Sequence, residues 1–348
     1  MNYQLRTLNY ELRTKVSRIN FEYLVLAAIL GLAFFIAYIP HISYPYPVHM
    51  DEWHHLANAR TMMEAGDVDA KVPFLTYSIQ GVTQNLEAGL HLFIGMFQSV
   101  SGIGWMSTFR YLPPVIFLLT VLSAYLLGKR QGFGWEAALM TCLITTTVGI
   151  LGPGFLVPVS FGLPFIVIGL YLAYNFRSFW SYVCVLLMMS FLLVLHPPTA
   201  IGFGILLLPY IVLNIKGAFR HALGLSLAGG LPLLPALMVV DWDVITHYLD
   251  SLFSPARIAS HVSWPDLIPD YGYLGVALCI LGVLVLVLRS KRESWGLVAG
   301  LILLGLVLVL YRQFEYGLVI IIVDLMVVRL VQPVGDGQRE GGCDNSYA

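Results

Sequence analysis

Charge is the first thing this chain lacks. Only 11% of its 348 residues are Asp, Glu, Lys or Arg, against 58% that are apolar, and the mean hydropathy is +0.79. So little polar surface excludes a soluble globule of this length. The charges nearly cancel, at a formal net charge of -1 and a pI near 6.7, and the basic residues are spread along the loops, which leaves no field for nucleic acid. Cysteine is equally scarce. Cys142, Cys184 and Cys279 lie inside apolar runs and Cys343 lies in the tail, so neither an exposed disulfide pair nor a CxxC metal motif is present. A P-loop and a dinucleotide fingerprint are also missing, which removes support for ATP-driven transport.

What the chain does have is long apolar runs. Crossing a hydrocarbon core takes roughly 20 helical residues, and runs of that order occur at 21–40, 111–128, 136–152, 157–174, 179–196, 198–215, 222–240, 271–288, 295–311 and 314–331. The expected fold is therefore all-α, a polytopic membrane bundle of about ten spans. Residues 1–20 are polar and carry Arg6, Arg13, Lys15 and Arg18. The run behind them is too long for a signal-peptide core and lacks a clear cleavage site, so it reads as an uncleaved first helix.

Another apolar stretch, Leu86 to Val100, is interrupted by Glu87, His91 and Gln98, and Lys and Arg arbitrate whether it crosses. If it crosses, the loops with Lys129-Arg130, Arg177, Lys216 with Arg220, and Arg289 to Arg292 all fall opposite the basic N-terminus. If it does not, those loops and the tail 332–348 join the N-terminus in the cytoplasm, and 41–110 and 241–270 become long outer segments. The second arrangement is the expectation, within a membrane domain spanning 21–331.

Polar chemistry then collects on the outer face. After the first span, Pro45 and Pro47 keep the chain extended, and Asp51 and Glu52 fall in the first turn of a helix that Gly66 stops. On that helix Asp51, His55, Asn58 and Met62 share a face, with Leu56, Ala59 and Met63 beside them, an amphipathic pattern suited to the membrane surface. The connector from Val72 to Glu87 is polar and aromatic, suited to lining a cavity. Glu87 and His91, one turn apart, either pair with each other or face that cavity. His196 opens His196-Pro-Pro-Thr199, where proline would end one helix and begin the next. In the second outer segment Asp241, Asp243 and His247 stand among aromatics that suit a sugar ring, and Arg257 and His261 follow. Neither HExxH nor HxxEH is present, and adjacent histidines point apart on a helix, so no metal centre is expected at His49 to His55.

These features together resemble the GT-C superfamily of integral-membrane glycosyltransferases: one outward span, an outer loop opening with the acidic pair Asp51-Glu52, an apolar segment that does not cross, then Arg110-Tyr-Leu-Pro-Pro and a span ending in Gly128-Lys-Arg. Protein O-mannosyltransferases, lipid A aminoarabinose transferases and oligosaccharyltransferases belong to it. The resemblance implies an enzyme of the cytoplasmic membrane that takes a sugar from a polyprenyl-phosphate donor and passes it to an acceptor, a protein, lipid or glycan, on the outer face. It makes Asp51, with Glu52, the catalytic acid that deprotonates the acceptor hydroxyl or holds it. Substrate contacts are expected from His55, Glu87, His91, His196, Asp241, Asp243, His247, Arg257 and His261, with Arg257 on the phosphate by position and charge. The resemblance leaves a divalent metal as the one cofactor to consider, and the sequence argues against it: the acids that bind that metal in oligosaccharyltransferases have no counterpart in Leu151 to Ser160, and their soluble C-terminal domain is absent. The rival reading is a carrier or flippase for a lipid-linked substrate, with Glu87, His196 and the intramembrane Asp324 along its route.

Overall fold

A computed structural model of the chain describes residues 21–68, 70, 72, 87–129, 134–143, 154–239 and 246. Among them every regular element is helical. The helices are α1 (Phe21–His41, with a 3-10 last turn), α2 (Met50–Ala65), α3 (Ala88–Ser101), α4 (Trp105–Lys129), α5 (Gly134–Leu143), α6 (Pro158–Asn175), α7 (Phe179–Leu195), α8 (Pro197–Asn214), α9 (Phe219–Gly230) and α10 (Leu233–Val239). Four of them, α1, α4, α6 and α8, are long and apolar enough to cross a membrane, and α7 is an apolar helix of 17 residues. By these helices the chain is a membrane protein. The expected spans beyond residue 240, the outer segment 241–270, the tail and residues 1–20 lie outside the described residues.

The helix limits follow local chemistry. Gly66 ends α2 in the left-handed conformation at φ 67°, its N–H bonding to the Met62 carbonyl, as its position just past the apolar pattern implies. His196 closes α7 and opens α8, and Pro197 occupies the first helical position, where its missing N–H costs nothing. The single span expected over 222–240 is instead two pieces. Gly229 and Gly230 weaken the helix, Pro232 has no N–H to donate to the Ala228 carbonyl, and the regular helix lapses over Leu231 and Pro232 before α10.

Two apolar cores hold the bundle. Leu26, Ile29, Ala33 and Ala37 form one stripe of α1 and pack on Phe117, Val121 and Tyr125 of α4 and on Ala138 and Cys142 of α5. The three alanines, all fully buried, let these backbones approach closely. A larger core joins α2 and α3 to α4, α6, α7, α8 and α9 through Leu56, Ile94, Phe109, Phe161, Leu192 and Phe203.

Chain direction is fixed at both ends of α1. Near its start, Glu22 Oε1 accepts from the Tyr125 hydroxyl at 2.6 Å and lies 3.4 Å from Lys129 Nζ, at the end of α4. Near its finish, Tyr38 stacks on Tyr111, close to the beginning of α4. The two helices are therefore antiparallel, and His41 and Trp105 stand at the same end of the bundle. The beginning of α6 belongs there too, because His41 Nε2–H donates to the Gly154 carbonyl at 3.2 Å. So does the end of α7: a methyl group on Gly89 of α3 would stand 2.7 Å from the Val194 carbonyl carbon and oxygen, so α3 lies directly on that backbone. α2 and α3 thus form a lid of two short helices across one end of the bundle.

Candidate functional site

Glu52 anchors the lid. Its side chain is completely buried, and both carboxylate oxygens are used: Oε2 accepts from the N–H of Val48 at 2.8 Å and of His49 at 3.1 Å, and Oε1 from the N–H of Leu156 at 2.8 Å. The first two bonds cap α2, and the third pins the lead-in to α6. Burial raises the Glu52 carboxyl above its ordinary value, and the three backbone N–H groups oppose that rise.

Asp51, one residue earlier, is placed differently. At the second position of α2 its side chain is 54% exposed, in the positive field of the helix terminus. Its N–H donates to His49 Nδ1 at 3.2 Å, so that nitrogen carries no proton. The 3.3 Å approach of Asp51 Oδ2 to the same nitrogen is therefore a contact and not a hydrogen bond, and the carboxylate keeps its accepting capacity.

Near Asp51 lies a buried cluster of imidazoles. The buried stripe of α2 is Glu52, His55, Leu56, Ala59 and Met62; His55 meets His91 of α3 and Met63 lies against Gly95 of α3, whereas the Asp51 side chain stays exposed. His55 Nδ1 and His91 Nε2 are 3.1 Å apart, both side chains buried, and one of the two nitrogens carries the proton they share. Glu87, at the N-cap of α3, brings Oε2 to 3.7 Å from His55 Nδ1. Burial holds His55 well below the ordinary imidazole value, with the neighbouring His91 and then His54, His196 and His49 adding to the effect. Burial, with His54, lowers His91 to about 4. Glu87 is pushed up to about 7 by burial and by the charge of Asp51, although a third of its side-chain surface remains exposed. Near neutral pH the pocket therefore holds two uncharged imidazoles and a carboxyl close to half-ionised.

Of the residues expected at the site, the structure gathers Asp51, His55, Glu87, His91 and His196 at one end of the bundle. His196 sits at the α7–α8 junction, where Nδ1 and the Thr199 hydroxyl share a hydrogen bond of 2.6 Å. Glu52 is there as the anchor of the lid. Asp241, Asp243, His247, Arg257 and His261 lie outside the described residues, as does Asp324.

The same end carries groups that had no site role by sequence, Arg110 of the Arg110-Tyr-Leu-Pro-Pro motif among them. The Arg110 guanidinium carbon lies 5.4 Å from the ring centroids of both Tyr38 and Tyr111, and Arg110 Nε is buried with no hydrogen-bond partner among the described residues. Buried His41 lies between Tyr38 and Gly154. The signal for Arg110 was its place at the mouth of a span, where a cation needs a reason. Its aromatic partner Tyr38, 72 positions earlier, is recognisable only once α1 and α4 are antiparallel.

No protein-family model matches the chain, and no curated protein matches it in sequence.

Proposed function

We propose that this membrane protein is a glycosyltransferase of the GT-C type, acting on a polyprenyl-phosphate-linked sugar at the end of the bundle covered by α2 and α3, on the outer side of the cytoplasmic membrane. The observation that carries the reading is the division of labour between adjacent acids. Glu52 has both oxygens committed to backbone N–H groups, while Asp51 presents an exposed carboxylate beside two buried, uncharged imidazoles. A sugar transferase needs that arrangement. An acceptor hydroxyl is a poor nucleophile, and a positioned carboxylate receives its proton, or holds it, as attack on the anomeric carbon proceeds. Departure of the lipid phosphate needs an opposing cation. Arg110, held against two tyrosines with an unpartnered Nε, meets that need among the described residues. Arg257 remains a phosphate contact by its position in the sequence.

Against a carrier stands the placement of charge. Among the described residues, Asp, Glu, Lys and Arg in the four candidate spans are confined to Glu22, Arg110 and Lys129, all toward helix ends. A route through the bundle calls for such groups at mid-depth.

The test is sugar transfer or donor hydrolysis by the full chain in lipid nanodiscs, over a panel of radiolabelled polyprenyl-phosphate sugars with candidate acceptors. Turnover of one donor class is the expected result; none with any donor contradicts the reading. Once a donor is found, Arg110→Ala should raise its KM by roughly ten- to a hundredfold, the worth of a charge-assisted hydrogen bond. Arg110→Lys should recover little, because an ammonium reproduces neither the planar fork nor the stacking on tyrosine. A KM unchanged in Arg110→Ala would remove this residue from the phosphate.

A further inference from the structure

We propose that His55, Glu87 and His91 form a binding site for one divalent cation of the zinc class, which fastens the surface helix α2 to the start of α3. The inference goes beyond sugar transfer and does not depend on it.

Geometry supplies the first argument. The three side chains each offer one ligand atom, and these atoms all lie within 4.8 Å of one another. Nδ1 of His55 is 3.1 Å from Nε2 of His91 and 3.7 Å from Oε2 of Glu87. Around a tetrahedral ion held at about 2.0–2.2 Å, ligand atoms stand roughly 3.3–3.6 Å apart. The site is thus already near the size a bound ion requires. Its ligands also sit on a firm frame. The His91 N–H bonds to the Glu87 carbonyl at 3.3 Å, which puts the two on one face of α3, and Gly89 between them lies directly on the end of α7. On the other side, Glu52 fixes α2 to the α6 lead-in three residues before His55.

Donor chemistry supplies the second. Two imidazoles and a carboxylate suit zinc or a neighbouring first-row ion, whereas magnesium and calcium prefer all-oxygen sets. Metal ligation requires neutral imidazole, and both rings are buried, an environment that disfavours the charged form. On binding, the proton shared between the rings and any proton on Glu87 pass to solvent, leaving the ion to bridge the three groups. Three protein ligands leave one position open, and Glu87, the least buried of them, marks the side from which water or a substrate oxygen would enter. The alternative occupant of the same geometry is the shared proton alone.

The experiment uses the full chain in nanodiscs, stripped with chelator and titrated with Co2+ and Zn2+. One Co2+ should bind per chain with visible d–d absorption, Zn2+ should displace it, and millimolar Mg2+ should not. X-ray absorption on the zinc-loaded parent should show two imidazoles at about 2.0 Å. That reading needs no variant, so a substitution that fails to fold does not decide the matter. His91→Ala and the milder Glu87→Gln should each weaken Co2+ binding at least about tenfold, and His54→Asn should leave it unchanged. A parent chain without a saturable site, a zinc spectrum lacking imidazole scattering, or affinity preserved in both His91→Ala and Glu87→Gln would overturn the site.

Discussion

Asp51→Asn should leave the protein folded and remove turnover. The side chain is exposed, among the described residues its oxygens accept no hydrogen bond that holds α2 in place, and Asn keeps its size. The structural cost is the loss of one negative charge near a helix N-terminus, roughly 0.3–1 kcal/mol. The chemical cost is far larger. Asn neither takes a proton nor carries the charge that orients a hydroxyl, and general-base catalysis contributes about a hundred- to ten-thousand-fold. We expect kcat to fall by that factor with donor KM little changed, the pattern of an interaction made chiefly in the transition state. Glu52 cannot stand in for the missing base, since its oxygens hold Val48, His49 and Leu156. Equal activity in parent and variant, measured on folded protein by single-turnover transfer, would move the base elsewhere.

The neighbouring substitution should behave in the opposite way. Glu52→Ala is expected to destabilise the lid by about 1.5–5 kcal/mol, combining a lost cap of about 0.5–2 kcal/mol with a buried donor left unpaired at about 1–3 kcal/mol. The unequal fates of the three donors decide the size. Val48 is exposed and His49 half-buried, so water replaces the carboxylate there, whereas Leu156 is fully buried and its N–H has no such recourse. Glu52→Gln offers little rescue. Each carboxylate oxygen faces at least one N–H, so the amide NH2 must point at a donor whichever way it turns. Thermal unfolding in nanodiscs should show both variants less stable than the parent, with proteolysis first at residues 42–49. An unchanged melting temperature in Glu52→Ala would contradict the anchoring role. Paired with Asp51→Asn, it separates two acids that are adjacent in sequence: one lowers kcat at constant stability, the other lowers stability itself.

That separation shows what the sequence made legible. The helices were readable from apolar run length, proline at helix starts and Gly66 at a helix end, because those signals are local. That the stretch around Leu86 to Val100 forms a helix shorter than a span was readable from its interruptions at Glu87, His91 and Gln98. The acidic pair was also visible, but its two roles were not. Which of two adjacent acids turns inward depends on where α6 begins, more than a hundred residues later, and the Leu156 N–H carries no mark in the sequence. The same holds for His55 and His91. Each was visible only with its neighbours on its own helix, His55 beside His54 and His91 one turn from Glu87, and their 3.1 Å approach arises only when Gly89 and Gly95 let α3 lie close against α7 and α2. The break at Leu231 within the expected 222–240 span was within reach, since Gly-Gly followed by Leu-Pro is a local stop that hydropathy averaging conceals.

The central claim is that the lid of α2 and α3 is where a lipid-linked sugar is held for reaction. It is tested most directly by photo-crosslinking a polyprenyl-phosphate sugar that carries a diazirine on the sugar to the full chain in nanodiscs, followed by peptide mapping. The structure-based expectation is labelling within Met50–Ala65 and Ala88–Ser101, suppressed by excess unlabelled donor and retained in Asp51→Asn. Labelling confined to α9 and α10, or labelling of the lid that excess donor does not suppress, would contradict it.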